Sequence, residues 1–368
     1  MGHVVEGGAV ENITPHVTCI RVPIPDSPLK WTFVYLIDDP EGPILIDTGW
    51  DAEGSWQVLL AGLHAAGVQP SDLAGVILTH FHPDHSGLAR RIPEVSDAWI
   101  GLHWKDQQLL AAGEVNRADV VYERMATYAL DAGAPELTQG EEDHLSLHSL
   151  RDTSALSSYR NLEDTMMIGS SLHVVATPGH TPGHCSVHIP RDGLLLLGDH
   201  LLPRITPNVS VYSWGDDNPL ASYVASLLHI RRMAKDTPLM FPAHEGQIVD
   251  AEARVMQVIA HHGHRLQELL GVFEDGSPRT VWETASRLSW SRSWDLLSGD
   301  PMRRAAIGEA GAHLVFLEHL GLLTRSKGQP LLWQLSASWM TKGSTARHVA
   351  CEQGYKHYLD AGEGREES

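Results

Sequence analysis

Residues 79–87 read Thr-His-Phe-His-Pro-Asp-His-Ser-Gly, which places His80, His82, Asp84 and His85 within six positions. The apolar run Ala74 to Thr79 reads as a buried strand that stops at His80. Two histidines then leave the strand end on one side, and an aspartate and a third histidine follow in the turn. Such an end can hand two ligands to one cation and two to its neighbour. Imidazole and carboxylate suit Zn²⁺, Fe or Mn, and no cysteine accompanies them. An HxHxDH pattern has a chance expectation of roughly 0.4% in a chain with this many histidines, so the motif is specific.

A pair of cations needs more ligands than four. Three further candidates stand where apolar runs end: His180 in the segment TPGHTPGH, Asp199 in LGDH, and His244 in PAHEG. A carboxylate such as Asp199 can bridge two metals about 3.5–4 Å apart and hold a shared water between them. Taken alone, Asp47 in the segment Asp47-Thr48-Gly49 reads as a cap for the helix that follows. The residues alone leave His180 and His184 as rivals, and leave His200 either lining a pocket or facing solvent. His261, His262 and His264 lie on a helical stretch with no partner motif and are read as surface. No GxSxG nucleophile elbow accompanies these groups.

The elements that must position these groups alternate between strand and helix. VTCIRV, WTFVYLID and PILID, starting at residues 17, 31 and 43, read as adjacent strands, and residues 52–67 read as a helix. LHVVAT, LLLLG and PLMFPA, starting at 172, 194 and 238, repeat the logic, each ending at a polar loop that carries a histidine or an aspartate. This is an α/β layered pattern, in which sites are built at the edge where strands end. Residues 103–165 form a long insertion with helical patterning, a lid or pocket wall in which Val120, Val121, Tyr122, Met125 and Tyr128 could line an acyl pocket. Residues 276–336 read as a small helical module closed by a hairpin, and 337–368 as a polar, frayed tail.

The 368 residues carry 27 Lys and Arg against 46 Asp and Glu, a net charge of −19. Segment 277–330 has seven basic against five acidic residues, so a module of +2 sits on a body of −21, a poor footprint for RNA and for anionic membranes. Cys19, Cys185 and Cys351 offer no paired spacing, which predicts no disulfide framework and a reducing cytoplasm. The N-terminal dozen lacks a basic and an apolar region, and no apolar run reaches the ~20 residues that span a bilayer.

Together, Asp47-Thr48-Gly49, HFHPDH, TPGHTPGH, GDH and PAHEG resemble the metallo-β-lactamase-fold hydrolase superfamily, of the glyoxalase II and acyl-homoserine lactonase type, over residues 15–270. The resemblance implies an αββα sandwich with a helical insertion at 103–165 in a catalytic domain over 1–275. It implies His80, His82 and His180 on one metal, Asp84, His85 and His244 on the other, and Asp199 as the bridge. It also implies that Asp47 fixes a ligand histidine and that His184 is structural. The module at 276–336 resembles the winged-helix appendage of a branch containing a lactamase-like endoribonuclease and fungal polyketide-carrier thioesterases.

The expected chemistry is hydrolysis of a small acyl compound, a thioester, lactone or ester, by a hydroxide bridging two divalent ions, Zn²⁺ first and Fe or Mn as alternatives. Asp84 is the candidate proton donor to the leaving group. The alternatives are an endoribonuclease or phosphodiesterase, β-lactam hydrolysis, and a persulfide dioxygenase. A small-molecule substrate, no nucleic-acid or membrane partner, and a homodimer complete the expectation.

Overall fold

The structure is a computed structural model that describes residues 4–5, 8–111, 127–134, 159–211, 218–297 and 301–363. Two compact units divide the chain, one from Met1–Ala118, Ser146–Pro207 and Arg232–Ala251, the other from Asp119–Leu145, Asn208–Arg231 and Glu252–Ser368.

The first unit holds two sheets. In the larger, eight strands lie in chain order: β1 (Val4–Val5), β2 (Gly8–Thr14), β3 (Val17–Pro23), β4 (Trp31–Ile37), β5 (Ile44–Ile46), β6 (Gly75–Ile77), β7 (Trp99–His103) and β8 (Arg160–Leu162). The pairing is antiparallel up to β5 and parallel from β5 to β8. In the smaller sheet the order is β13 (Leu239–Phe241), β12 (Leu194–Leu196), β11 (Cys185–Ile189), β10 (Leu172–Ala176) and β9 (Met167–Ile168), with β12 and β13 parallel.

Alternation along the strands assigns each residue to a layer. Tyr35, Ile37, Ile44, Ile46 and Ile77 face the inner core with Leu172, Val174, Val187, Leu194 and Leu196 of the second sheet. Leu36, Leu45 and Val76 point the other way, against Trp56, Leu59 and Leu63 of the helix Glu53–Ala65. The strands and helix expected around residues 17–79, and those starting at 172, 194 and 238, are all present. This is the mixed α/β architecture of two facing sheets that the resemblance implied.

The compact units do not follow the expected boundary at 275. The helices Pro219–Met233 and Ala251–Gly271 are tied by side chains to the C-terminal helices of the second unit: Tyr358 Oη donates to Ala221 O at 2.8 Å and Tyr355 Oη to Ile259 O at 3.0 Å. Residues 337–363 are not a frayed tail. Ala337–Met340 and Ser344–Glu363 are helical, Cys351 and Tyr355 are buried, and Arg347 donates to the Trp339 and Met340 carbonyls. Their polarity belongs to the outer face of a packed helix. Between them and residue 276 lie the helices Val281–Ala285 and Pro301–His319 and the two-stranded sheet of β14 (Leu323–Arg325) and β15 (Trp333–Leu335). The first of these helices starts with a capping box, Thr280 Oγ1 accepting from Glu283 N–H.

The insertion at 103–165 falls partly in each unit. Val120, Val121, Tyr122 and Met125 lie outside the described residues, so their expected pocket role finds no test here. His262 corrects the surface reading of its cluster. It sits on the buried stripe of the helix Ala251–Gly271 with Val255, Val258, Ile259 and Leu266, and its Nδ1 lies 3.1 Å from Nε2 of His313. The 3.6-residue period puts 262 on the same face as 255, 258, 259 and 266. The three cysteines are buried and separate, and burial pushes the Cys19 and Cys351 thiols up to about 12. No helix among the described residues is long and apolar enough to cross a membrane.

Candidate metal centre

Parallel strands β5, β6 and β7 present their C-terminal ends at one edge of the first sheet, and β12 and β13 do so in the second. Asp47 follows β5, His80 follows β6, Asp199 follows β12 and His244 follows β13, so topology alone brings four of the expected groups together. His180 arrives on the loop between β10 and β11, which closes onto the first sheet through Cys185 N–H to Thr79 O at 2.8 Å. Asp84 and His85 lie in the single helical turn Pro83–Ser86, whose proline occupies the first turn, where a missing N–H costs nothing.

All seven expected ligands converge. Nδ1 of His82 lies 2.9 Å from Nε2 of His80 and 3.0 Å from Nε2 of His180. On the other side, Oδ2 of Asp84 is 3.7 Å from His85 Nε2 and 3.4 Å from His244 Nε2. Asp199 spans the two groups: its Oδ2 is 3.5 Å from His85 and 3.7 Å from His180, while its Oδ1 is 3.3 Å from His244. A tetrahedral cation with bonds of 2.0–2.1 Å spaces its donors about 3.3 Å apart, which these separations bracket. Three of the atoms, His85 Nε2, His244 Nε2 and Asp199 Oδ1, are buried with no hydrogen-bond partner. Buried polar atoms left unpaired in this way need an occupant, and a divalent cation fits them.

The rings are held in the tautomer a metal needs. His85 Nδ1 donates to Asp47 Oδ2 at 2.8 Å, and His244 Nδ1 donates to the Trp31 carbonyl at 2.8 Å. Thr79 Oγ1 donates to Asp47 and receives His80 Nδ1 at 3.0 Å. Nε2 is therefore the nitrogen turned inward in each ring, where it offers a lone pair once its proton is displaced. Asp47 thus does more than the resemblance implied: it fixes His85 directly and His80 through Thr79. It does so from a left-handed backbone, φ 61°, buried to 2%, a conformation an aspartate tolerates better than most residues. Asp47→Ala should lower metal affinity about 10–100-fold, read by competition with a chromophoric chelator. An unchanged affinity would remove that role.

Electrostatics point the same way. Burial works against charge throughout the cluster, yet Asp199 and Asp84 raise His85 well above the ordinary imidazole value and take His244 up to about 10. Burial by itself would raise Asp84, but His85 and His244 hold it down to about 2. Without a cation, the carboxylates keep two imidazoles protonated, and a divalent ion would take the place of those protons.

His184 is structural, as the resemblance implied. Its Nδ1 meets Thr177 Oγ1 at 2.8 Å and its Nε2 accepts the Asp199 N–H at 3.1 Å, so it seats the backbone of the carboxylate that spans both groups. Gly198, at φ 53°, lets that loop pass: a Cβ there would stand 2.7 Å from His184 Nε2. His200 is buried beside His184, with ring centroids 6.0 Å apart, rather than solvent-facing. Sequence reasoning missed Asp106, at the start of the helix Trp104–Ala111, whose carboxylate receives donors from both histidine loops. No motif marks it. Only its place after a parallel strand, β7, could have drawn attention.

Against known proteins, the profile described as the Metallo-beta-lactamase superfamily matches residues 32–265. The probable metallo-hydrolase YqjP of Bacillus subtilis is 25% identical over 285 residues, 75% of this chain and 85% of that protein. An N-acyl homoserine lactonase of Bacillus cereus is 25% identical over 240 residues, 57% of this chain and 80% of its own. The crystal structure of a metallo-beta-lactamase family protein from Thermus thermophilus superposes with a TM-score of 0.72 at 27% identity, covering 88% of this chain and all of that one. With its two sheets, its histidine and aspartate clusters at the strand ends and a match over most of its length, the chain belongs to the metallo-β-lactamase superfamily.

Proposed function

We propose that this protein is a dinuclear metallo-hydrolase of small acyl substrates, thioesters, lactones or esters. The observation that carries the metal half is Asp199, whose Oδ2 stands 3.7 Å from His180 of one group and 3.5 Å from His85 of the other, with its Oδ1 3.3 Å from His244, the position of a carboxylate that would span two ions. His80, His82 and His180 would hold one ion and Asp84, His85 and His244 the second. Two cations there would lower the pKa of a shared water toward about 7 and polarise the scissile carbonyl. The carbonyl carbon gains the water oxygen, its bond to sulfur or oxygen breaks, and the leaving atom takes up a proton. Asp84, partly open at 18% exposure, is the proposed carrier of that proton, and Asp84→Asn should separate this role from ligation if metal is retained while turnover falls.

A cavity of about 320 Å³ supports the acyl half. Leu29, Trp31 and Phe33 give it apolar walls, and Lys30, Arg204 and Glu245 edge it. It adjoins the metal centre, because the Trp31 carbonyl holds the His244 ring and Glu245 is the next residue in the chain. Glu245 accepts from Arg204 N–H at 2.9 Å and Arg204 Nε at 3.2 Å, which fixes the rim. The lining is mixed: Leu29, Trp31 and Phe33 would take the hydrocarbon of an acyl chain and Lys30, Arg204 and Glu245 its polar groups, and the lactonase among the relatives acts, by its name, on an acylated lactone. The −21 body argues against RNA in the same groove.

The deciding experiment is turnover by the metallated protein of a panel of acyl thioesters, N-acyl lactones, bis-phosphodiesters and β-lactams. Phosphodiester turnover above that of the acyl substrates would overturn the ranking. Trp31→Ala, which keeps the backbone carbonyl, should raise KM for a long-chain acyl thioester about 10-fold and leave an acetyl thioester nearly unchanged. Equal effects on both would dissociate the cavity from the acyl chain.

A further inference from the structure

We propose that Asp106 is the positioning residue of the three-histidine site, a brace that locks its two loops into one ligand set. The inference rests on the metal-centre reading above and extends it to a residue outside the seven ligands. The carboxylate is fully buried at the first turn of the helix Trp104–Ala111. Its Oδ2 accepts Phe81 N–H at 3.1 Å and Thr181 Oγ1 at 2.7 Å, and its Oδ1 accepts Gly183 N–H at 2.6 Å. Phe81 lies between His80 and His82, and Thr181 follows His180. One side chain therefore ties the loop after β6 in the first sheet to the loop after β10 in the second.

The other ligands have their own supports. His85 is held by Asp47, His244 by the Trp31 carbonyl, and the backbone carbonyls of Asp84 and His85 by Thr32 and Thr48. None of these involves Asp106, so the brace acts on one side of the centre. Gly183 shows how closely the loop is drawn in: a Cβ there would stand 2.6 Å from Asp106 Oδ1. Burying a carboxylate is unfavourable, and three donors are the compensation it needs. An apolar residue at 106 would fill the space and leave Phe81 N–H, Thr181 Oγ1 and Gly183 N–H without this acceptor, so the two loops would lose their common anchor.

A metal ligand set loses about 10–100-fold in affinity when an outer support is removed. The test measures Zn²⁺ and Co²⁺ binding by calorimetry and by the visible bands of Co²⁺, in two backgrounds. His244→Ala leaves the three-histidine site intact, and His180→Ala leaves the Asp84, His85 and His244 site. Asp106→Asn should weaken metal binding about 10–100-fold in the first background and less than about 2-fold in the second. Thr181→Val, which keeps the buried carboxylate, should give a smaller loss confined to the first background, and it carries the same comparison if Asp106→Asn does not fold. Equal losses in both backgrounds, or none in either, overturn the role of Asp106 while leaving the metal centre standing. No binding in either parent background would instead sink the metal-centre reading, and this inference with it.

Discussion

Protein stripped of metal by a chelator should lose hydrolytic activity by at least about 10³-fold and regain it on adding Zn²⁺, and Asp199→Asn should lose a similar amount without full rescue. The size follows from what the site lacks besides a cation. Every imidazole and carboxylate at its centre is either a candidate ligand or a support for one, and each candidate Nε2 on His80, His85 and His244 is turned inward by a bond at Nδ1. Without metal, no group there has both the proton affinity and the freedom to activate water, and uncatalysed water at neutral pH has a pKa of about 15.7 against about 7 when metal-bound. Asp199 reaches both clusters with its two oxygens, so its amide should cost more than loss of a histidine that serves one cluster. The measurement is initial rate against metal content. Full activity in metal-free protein would remove the metallo-hydrolase assignment for this chain, and an Asp199→Asn variant with wild-type rate and metal content would remove the bridge.

The candidate ligand set is legible in the sequence because its chemistry is dense there. HxHxDH places four donors in six residues, and the other three each stand at the end of a recognisable apolar run. A parallel strand end is a local feature with a long-range consequence, since every such end in one sheet opens on the same edge. What is not legible is a single residue whose role depends on a partner far away in the chain. Asp106 is 25 residues from Phe81 and 75 from Thr181, and nothing in WKDQQLL distinguishes it from an ordinary acid in a helix's first turn. The Trp31 carbonyl is beyond sequence reading altogether, because any residue carries one.

Two further differences share a cause. For the terminal helices and the His262 stripe, polarity misleads because it reports the exposed face of an amphipathic helix as strongly as the buried one. Strand β2, Gly-Ala-Val-Glu-Asn-Ile-Thr, escapes for a related reason: its Glu and Asn interrupt the apolar alternation, yet it pairs antiparallel with β3, with a shift of register between Asn12 and Thr14.

The His262 and His313 pair carries the last large prediction: the protein should lose stability steeply as pH falls below about 6.5. His313 Nδ1 donates to the Glu309 carbonyl at 2.8 Å, so its Nε2 is a lone pair that accepts from His262 Nδ1. His262 Nε2 is then an unprotonated atom, buried without a hydrogen-bond partner. Around the pair stand Tyr223, whose ring meets His262 edge-on, His261, Arg265 and the buried Glu309. Burial is the main force that lowers His262 well below the ordinary imidazole value and His313 to about 3, with neighbouring His261 and Arg265 adding to it. Both rings are thus neutral when folded and protonate near 6.5 when unfolded. The unfolded chain binds more protons below that pH, so stability is complete above about 6.5 and declines as pH falls toward about 3. Each ring contributes a slope of up to about 1.4 kcal/mol per pH unit, or about 4 kcal/mol for the pair between about pH 7 and 5. That is a large share of the roughly 5–15 kcal/mol typical of a folded domain. Replacing both rings, His262→Phe with His313→Leu, removes donor and acceptor together and should flatten the dependence by about that amount in urea titrations at about pH 7 and 5. Other depressed histidines near the metal centre, His80, His82 and His184, contribute equally to both proteins, so the difference between them isolates the pair. Identical slopes would show that the pair is not the acid-sensitive element.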